Sequence, residues 1–302
     1  MNLSIVTTTF NSESTIKSFI DQIKKNIKNL NILDHEIIIV DDGSKDSSVE
    51  KIKKIKETYK EIKIIELSKN FGHHKAMMTG IEESKKDYIF LIDSDLEENP
   101  DYLKIFIEQI KNFDFVYGVQ KKRSASFLTN ILGSLFYKLF NLISINKIPS
   151  NLMTMTLMRE NVKNELVKFK EREIFFHGLL HTIGFSKKEI LVDKTYKGKS
   201  EYTLSRKLDL FFDAITSFSS LPLKIFFYFG LLVSSLSTLY AIYLLVRFFA
   251  FKITVPGFTT ITLLILFFGG IIVLGIGILG IYIEKIFIEV KNRPRVIIKD
   301  KN

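Results

Sequence analysis

The sequence predicts an α/β domain built on a mostly parallel sheet, followed by a two-helix transmembrane hairpin. Three observations carry this. Short apolar, β-branched runs alternate with helical patterns through residues 1–120, polar or acidic residues end those runs, and two long uncharged stretches fill the C-terminal third. Strands separated by helices argue for parallel pairing. An apolar stretch of ~20 residues is long enough to cross a hydrocarbon core.

Taken in order, Leu3 to Thr9 is a first strand and a helix is patterned from Ser14 to Asn29. Glu36 to Val40 is a second strand that runs into Asp41-Asp42-Gly43-Ser44, with a helix beginning near Ser47. Ile62 to Leu67 and Tyr88 to Ile92 are further strands, the segment from Gly72 to Ser84 between them is helical, and Phe113 to Val116 adds another strand. In such sheets ligands bind beyond the carboxyl ends of the strands. The polar residues collect there: Thr8-Thr9-Phe10-Asn11, Asp41-Asp42, Ser68-Lys69-Asn70 and Asp93-Ser94-Asp95.

The uncharged stretches define spans at about 225–246 and 258–283, joined by a short connector containing Pro256-Gly257. Lys285, Lys291, Arg293, Arg295, Lys299 and Lys301 follow the second, and Arg206, Lys207 and Lys224 precede the first. The connector carries only Arg247 and Lys252. The positive-inside bias therefore places both termini and the N-terminal domain in the cytoplasm, with the protein multi-pass in the inner membrane. Residues 124–145 carry an apolar stripe at helical spacing and are expected to lie as an interfacial helix on the membrane surface. Residues 203–222 repeat the pattern as an amphipathic juxtamembrane helix. The divisions are thus a domain over 1–202, that helix, and a hairpin with a basic tail over 223–302.

Composition narrows the chemistry. The 302 residues are 46% hydrophobic, enough for one sizeable soluble domain plus a membrane appendage. There is no cysteine, which removes disulfides and thiolate zinc sites. The start lacks a basic n-region and long apolar core, so no signal peptide is expected. The net charge of +10 suits anionic headgroups and phosphorylated substrates, and no basic patch interleaved with aromatics points to nucleic acid.

Asp93, Asp95 and Glu97 stand at i, i+2 and i+4 where a buried strand meets a loop. Carboxylates so spaced suit a hard cation, Mg²⁺ or Mn²⁺, with positions left for a substrate's phosphates; the alternative is a solvated turn that caps the helix starting near Asn99-Pro100. Gly275-Ile276-Gly277-Ile278-Leu279-Gly280 matches a dinucleotide fingerprint but lies inside an apolar stretch, where glycines permit close helix approach and self-association. His177 and His181 lack the third ligand of a zinc site.

Asn11-Ser12-Glu13, Val40-Asp41-Asp42-Gly43-Ser44, Asn70-Phe71-Gly72 and Asp93-Ser94-Asp95 together resemble family 2 glycosyltransferases. The order continues through Gly184-Phe185, Gly198-Lys199-Ser200-Glu201-Tyr202 and Glu289-Val290-Lys291-Asn292-Arg293-Pro294, similar to the polyprenyl-phosphate (dolichol-phosphate mannose synthase-like) branch. The resemblance covers nearly the whole chain. It implies a GT-A fold and an inverting transfer of one sugar from a nucleotide sugar to polyprenyl (undecaprenyl) phosphate, for modification of cell-envelope glycans. It also implies that Thr8, Phe10, Glu13, Asp41, Asp42 and Lys69 serve the nucleotide sugar, and that Asp93 and Asp95 are the catalytic metal pair. His73-His74 reads as a solvent-exposed helix start next to the nucleotide pocket, with a contact to the donor as the alternative. Glu97 stands where the family usually has Gln. The acceptor phosphate would fall to Lys121, Arg123, Lys194, Lys197 and Ser200, with lysines replacing the arginine forks of many members. A different membrane acceptor, such as a diacylglycerol, and a catalytically weak scaffold of the same fold are the other readings. The absence of tryptophan removes the Gln-x-x-Arg-Trp signature of processive synthases.

Overall fold

The computed structural model describes residues 1–121, 149, 151–172, 174–193, 221–251 and 257–302. The expected segments at 124–145 and 203–222 lie outside these. Among the described residues eight strands are formed: β1 Asn2–Thr9, β2 Asp34–Asp41, β3 Ile62–Leu67, β4 Tyr88–Leu91, β5 Phe115–Gln120, β6 Leu152–Arg159, β7 Lys187–Val192 and β8 Ile298–Lys301. They make one sheet in the order β7-β5-β6-β4-β1-β2-β3-β8. β4, β1, β2 and β3 run parallel, as do β5 and β7, while β6 and β8 run against their neighbours. This is the expected mostly parallel α/β sheet.

Helices α1 Ile16–Asn29, α2 Ser48–Thr58, α3 His73–Glu83, α4 Leu103–Gln109, α5 Glu160–Leu166 and α6 Phe176–Thr182 flank it. α1 shows why. Ile16, Phe19, Ile20, Ile23 and Ile27 recur at i, i+3 and i+4 and are all buried, each stabilising by roughly 1.5–3 kcal/mol. β1 is buried from Leu3 to Thr9, as a strand covered on both faces must be. Its one interior polar side chain near the start is satisfied: Ser4 Oγ donates to Glu36 Oε1 at 2.6 Å, and Glu36 also accepts from the Lys85 amide and the Lys63 ammonium. α3 closes on the sheet through Gly80, where any Cβ would collide with Val6 and Val40.

The described residues divide into two units. The sheet and its helices form one, and the segment Arg293–Asn302 belongs to it. The tail read from sequence as a basic extension thus supplies β8, which pairs antiparallel with β3. Arg295 is bonded to Glu82, and Lys301 pairs with Glu83.

The second unit contains α7 Leu221–Phe251 and α8 Phe258–Val290. Two spans were expected there. Among the described residues one stretch, Phe267–Val290, is long and apolar enough to cross a membrane, with mean hydropathy 2.3. The fingerprint-like glycines lie inside α8, and a Cβ on Gly275 would strike the Phe226 ring of α7, which is a packing role.

Candidate active site

Three strand ends are brought level by register. Thr9 pairs with Asp41, and the Asp42 amide donates to the Thr9 carbonyl at 2.9 Å. On the other side of β1, Val6 pairs with Leu91 and the Ile92 amide reaches the Val6 carbonyl at 3.1 Å. Asp93 follows directly.

Asp41 and Asp42 are both buried and do different work. Asp42 accepts the Phe71 amide at 2.7 Å and the Gly72 amide at 3.0 Å, so it pins the loop that opens α3. Asp41 Oδ2 accepts the Gly43 and Ser44 amides at 3.1 and 2.9 Å. Its Oδ1 is buried with no hydrogen-bond partner among the described residues. Burial pushes both carboxyls above the ordinary range, against the pull of these amides.

Asp41 is also one of the residues lining a cavity of about 690 Å³, a volume typical of small-molecule sites. Phe10, Asp41, Glu66 and Lys69 line it, together with Lys299 from β8. Phe10 is 46% exposed, unusual for so large an apolar ring. Beside the cavity two loops are stitched together. Asn11, held at φ 49°, accepts the Lys45 amide at 2.9 Å, and Glu13 accepts both the hydroxyl and the amide of Ser47. The Ser47 hydroxyl, first among these contacts, lowers the Glu13 pKa.

Asp93 is held from two sides. Thr154 Oγ1, from β6, donates to its Oδ2 at 2.7 Å, and His73 Nε2 stands 3.3 Å from its Oδ1. The other ring nitrogen of His73 is 3.0 Å from Thr8 Oγ1, so the imidazole bridges β1 and the acidic turn. Glu98 is buried and accepts the Thr154 amide at 2.8 Å, which fixes β6 against this turn. Leu96 sits at φ 63°, rare for a bulky side chain, and the Glu97 amide donates to Asp95 Oδ1 at 2.8 Å. Asp95 is exposed. The donor set fits a hard divalent cation: carboxylate oxygens at a strand end, one fixed and one facing solvent. Among the described residues no three acidic or imidazole groups gather to hold an ion unaided.

Residues 4–170 match the model of glycosyl transferase family 2, more than half of the chain. The chain belongs to glycosyl transferase family 2. A Mycobacterium tuberculosis protein named only as a glycosyltransferase is 36% identical over 99% of this chain and 88% of its own. The bactoprenol glucosyl transferases of Shigella phages SfX and SfII are 31% and 32% identical, covering 100% and 99% of this chain and 100% and 98% of theirs. Glucosyl-3-phosphoglycerate synthase of Mycobacterium tuberculosis, solved with Mn²⁺, uridine diphosphate and phosphoglyceric acid, superposes with a TM-score of 0.52 at 14% identity, over 71% of this chain and 76% of that one. The enzyme therefore has the nucleotide-sugar transferase fold.

In this glycosyltransferase Phe10, Asp41 and Lys69 share the cavity, whereas Thr8, Glu13 and Asp42 are not among the described residues that line it. Lys121 is ion-paired with Asp193 at 2.9 Å where β5 and β7 end, while Arg123, Lys194, Lys197 and Ser200 lie outside the described residues. His73 is exposed at the start of α3, as expected, yet it bonds Thr8 and Asp93, while His74 is half-buried and packs edge-on against Phe175. Sequence reasoning missed Thr154, Glu98 and the contacts of His73 because their partners are distant along the chain. A Glu directly following the acidic turn was the one available signal for Glu98.

Gly43 sets the cavity wall. It holds φ 75°, and a Cβ there would lie 2.5 Å from the Lys69 carbonyl carbon. Gly43→Ala is expected to push the Lys69 loop outward, raising the KM for the nucleotide sugar about tenfold or more with a smaller change in kcat. Steady-state kinetics alongside a melting curve checks this; an unchanged KM removes Gly43 from the binding wall.

Proposed function

We propose that the enzyme moves one sugar from a nucleotide sugar to a polyprenyl phosphate of the undecaprenyl type at the cytoplasmic face of the inner membrane, for later use in cell-envelope glycans. The observation that carries this is end-to-end similarity to proteins named bactoprenol glucosyl transferases, which extends through the apolar helices and the tail, well past the matched region 4–170.

The site chemistry supports it. Asp41, Glu66 and Phe10 offer acceptors and an aromatic face to base and ribose, and Lys69 offers a cation. Asp93 and Asp95, with Glu97 on the same turn, would hold Mg²⁺ or Mn²⁺, which when bound stabilises the charge developing on the leaving diphosphate. Thr154 and His73 keep the Asp93 carboxylate fixed in advance. The acceptor is its own nucleophile. A phosphate monoester with a second pKa near ~6 is largely dianionic at neutral pH, so its oxygen forms the new bond to the anomeric carbon as the bond to the diphosphate breaks, with inversion and no protein base. Lys121, Arg123, Lys194, Lys197 and Ser200 would receive that phosphate. Lys121 and Asp193 mark the sheet edge from which the segments carrying the other four depart.

The two-span hairpin is part of this reading. The pairing of β8 with β3 supports a chain that enters and leaves the membrane on one side, with α7 as a second crossing beside α8. The positive-inside bias places that side in the cytoplasm.

Purified protein in detergent with Mg²⁺ or Mn²⁺ should convert radiolabelled nucleotide sugar and undecaprenyl phosphate into an organic-extractable product. Phosphatase treatment of the lipid should abolish the reaction. Equal transfer to the dephosphorylated lipid or to diacylglycerol would overturn the acceptor assignment, and binding without turnover on any lipid would favour a scaffold.

A further inference from the structure

β8 lies outside the region that defines the family, and its pairing with β3 is irregular. Leu67 pairs with Ile298 and Glu66 with Asp300, so Lys299 is an extra residue, a bulge of the kind that re-aims a side chain. The strand is anchored on both sides of it. The Ser68 amide donates to the Ile297 carbonyl at 2.9 Å, and Ile64 and Asn302 exchange two backbone bonds at 2.9 and 3.0 Å. Asp300 and Lys301 are taken up by Lys53 and Glu83. Lys299 instead lines the cavity that Asp41 also lines.

We propose that Lys299 reads the base of the bound nucleotide, so that the C-terminal strand completes the donor pocket and sets nucleotide choice. An ammonium has donors only, and the Asp41 carboxylate oxygen is an acceptor. A cation and an acceptor on one cavity complement a base edge with adjacent C=O and N–H, as uracil and guanine have. In the pose that sets the C=O at the ammonium and the N–H at the carboxylate, cytosine and adenine would turn an amino group to the cation and a ring-nitrogen lone pair to the carboxylate, the wrong polarity at both. This rests on the nucleotide-sugar reading above.

The test is calorimetric binding of UDP, GDP, CDP and ADP, each with Mg²⁺, to the full chain in detergent. Wild type should bind UDP or GDP at least tenfold tighter than CDP and ADP. Lys299→Ala and the length-preserving Lys299→Met should weaken the preferred nucleotide about five- to twentyfold and narrow its lead over CDP. Lys299→Arg should restore it, and Lys301→Ala, which removes a neighbouring charge already paired with Glu83, should stay within twofold of wild type. Wild-type affinity in both Lys299 variants, or a wild-type preference for CDP or ADP, would overturn this inference and leave the sugar-transfer reading standing. Failure of wild type to bind any of the four would remove both.

Discussion

Asp95→Ala is expected to lower turnover about a thousandfold while leaving the melting temperature nearly unchanged. Asp95 is exposed, and the bond its side chain accepts from the Glu97 amide is local, so its loss costs the fold about 1 kcal/mol or less. A thousandfold in rate corresponds to about 4 kcal/mol of transition-state stabilisation, the scale of a group that helps neutralise a leaving diphosphate. Asp93→Ala should differ in kind. It strands the Thr154 hydroxyl and releases His73, so stability should fall by roughly 1–3 kcal/mol along with activity. Turnover and melting curves on the two variants separate the roles. Undiminished turnover in Asp95→Ala would sink the metal assignment.

Acidification is the second large effect. His181 is buried on α6 against Phe115 and Tyr117, with Nδ1 3.0 Å from the His177 carbonyl. Burial, with Lys187 nearby, pulls its pKa down to about 4. Burial takes His74 to about 3 and moves His177 well below the ordinary value. In the unfolded chain each returns to ~6.5. Above that pH both states are neutral and these groups contribute no pH dependence. As pH falls from 6.5 towards 4 the unfolded chain binds protons that the folded one refuses, so stability falls throughout that window. For His181 alone the loss by pH 4 is roughly 3 kcal/mol. The melting temperature in detergent should drop by on the order of ten degrees between pH 7 and pH 5, a range in which few carboxylates titrate. His181→Phe should make the drop shallower. A flat profile from pH 7 to pH 5 would show these imidazoles to be hydrated.

These expectations rest on features of unequal legibility. β1 to β5 and the helices between them follow from local patterns, because a buried parallel strand must be apolar and its end must turn. Asp41, Asp42, Asp93 and Asp95 were visible for the same reason. β8 was not. Three of its four residues are charged, as suits an edge strand, and read alone they describe a solvated tail. What makes them a strand is a set of partners far along the chain: Glu66 and Leu67 in the ladder, and Glu83 for Lys301. The contacts of His73 were hidden likewise, since they come from Thr8, 65 positions away, and from Asp93. Local sequence records burial and turning well, and records pairing between far segments hardly at all.

The late arrival of β8 also has a consequence for biosynthesis. Lys301 and Glu83 are 218 positions apart, so at ~5–20 residues per second a ribosome needs roughly ten to forty seconds between them. Throughout that interval β3 waits with an open hydrogen-bonding edge, a surface that invites pairing with other chains. Only after the apolar helices have been made can β8 close it. A nascent enzyme stalled before β8 emerges would therefore keep that edge open and be prone to aggregation.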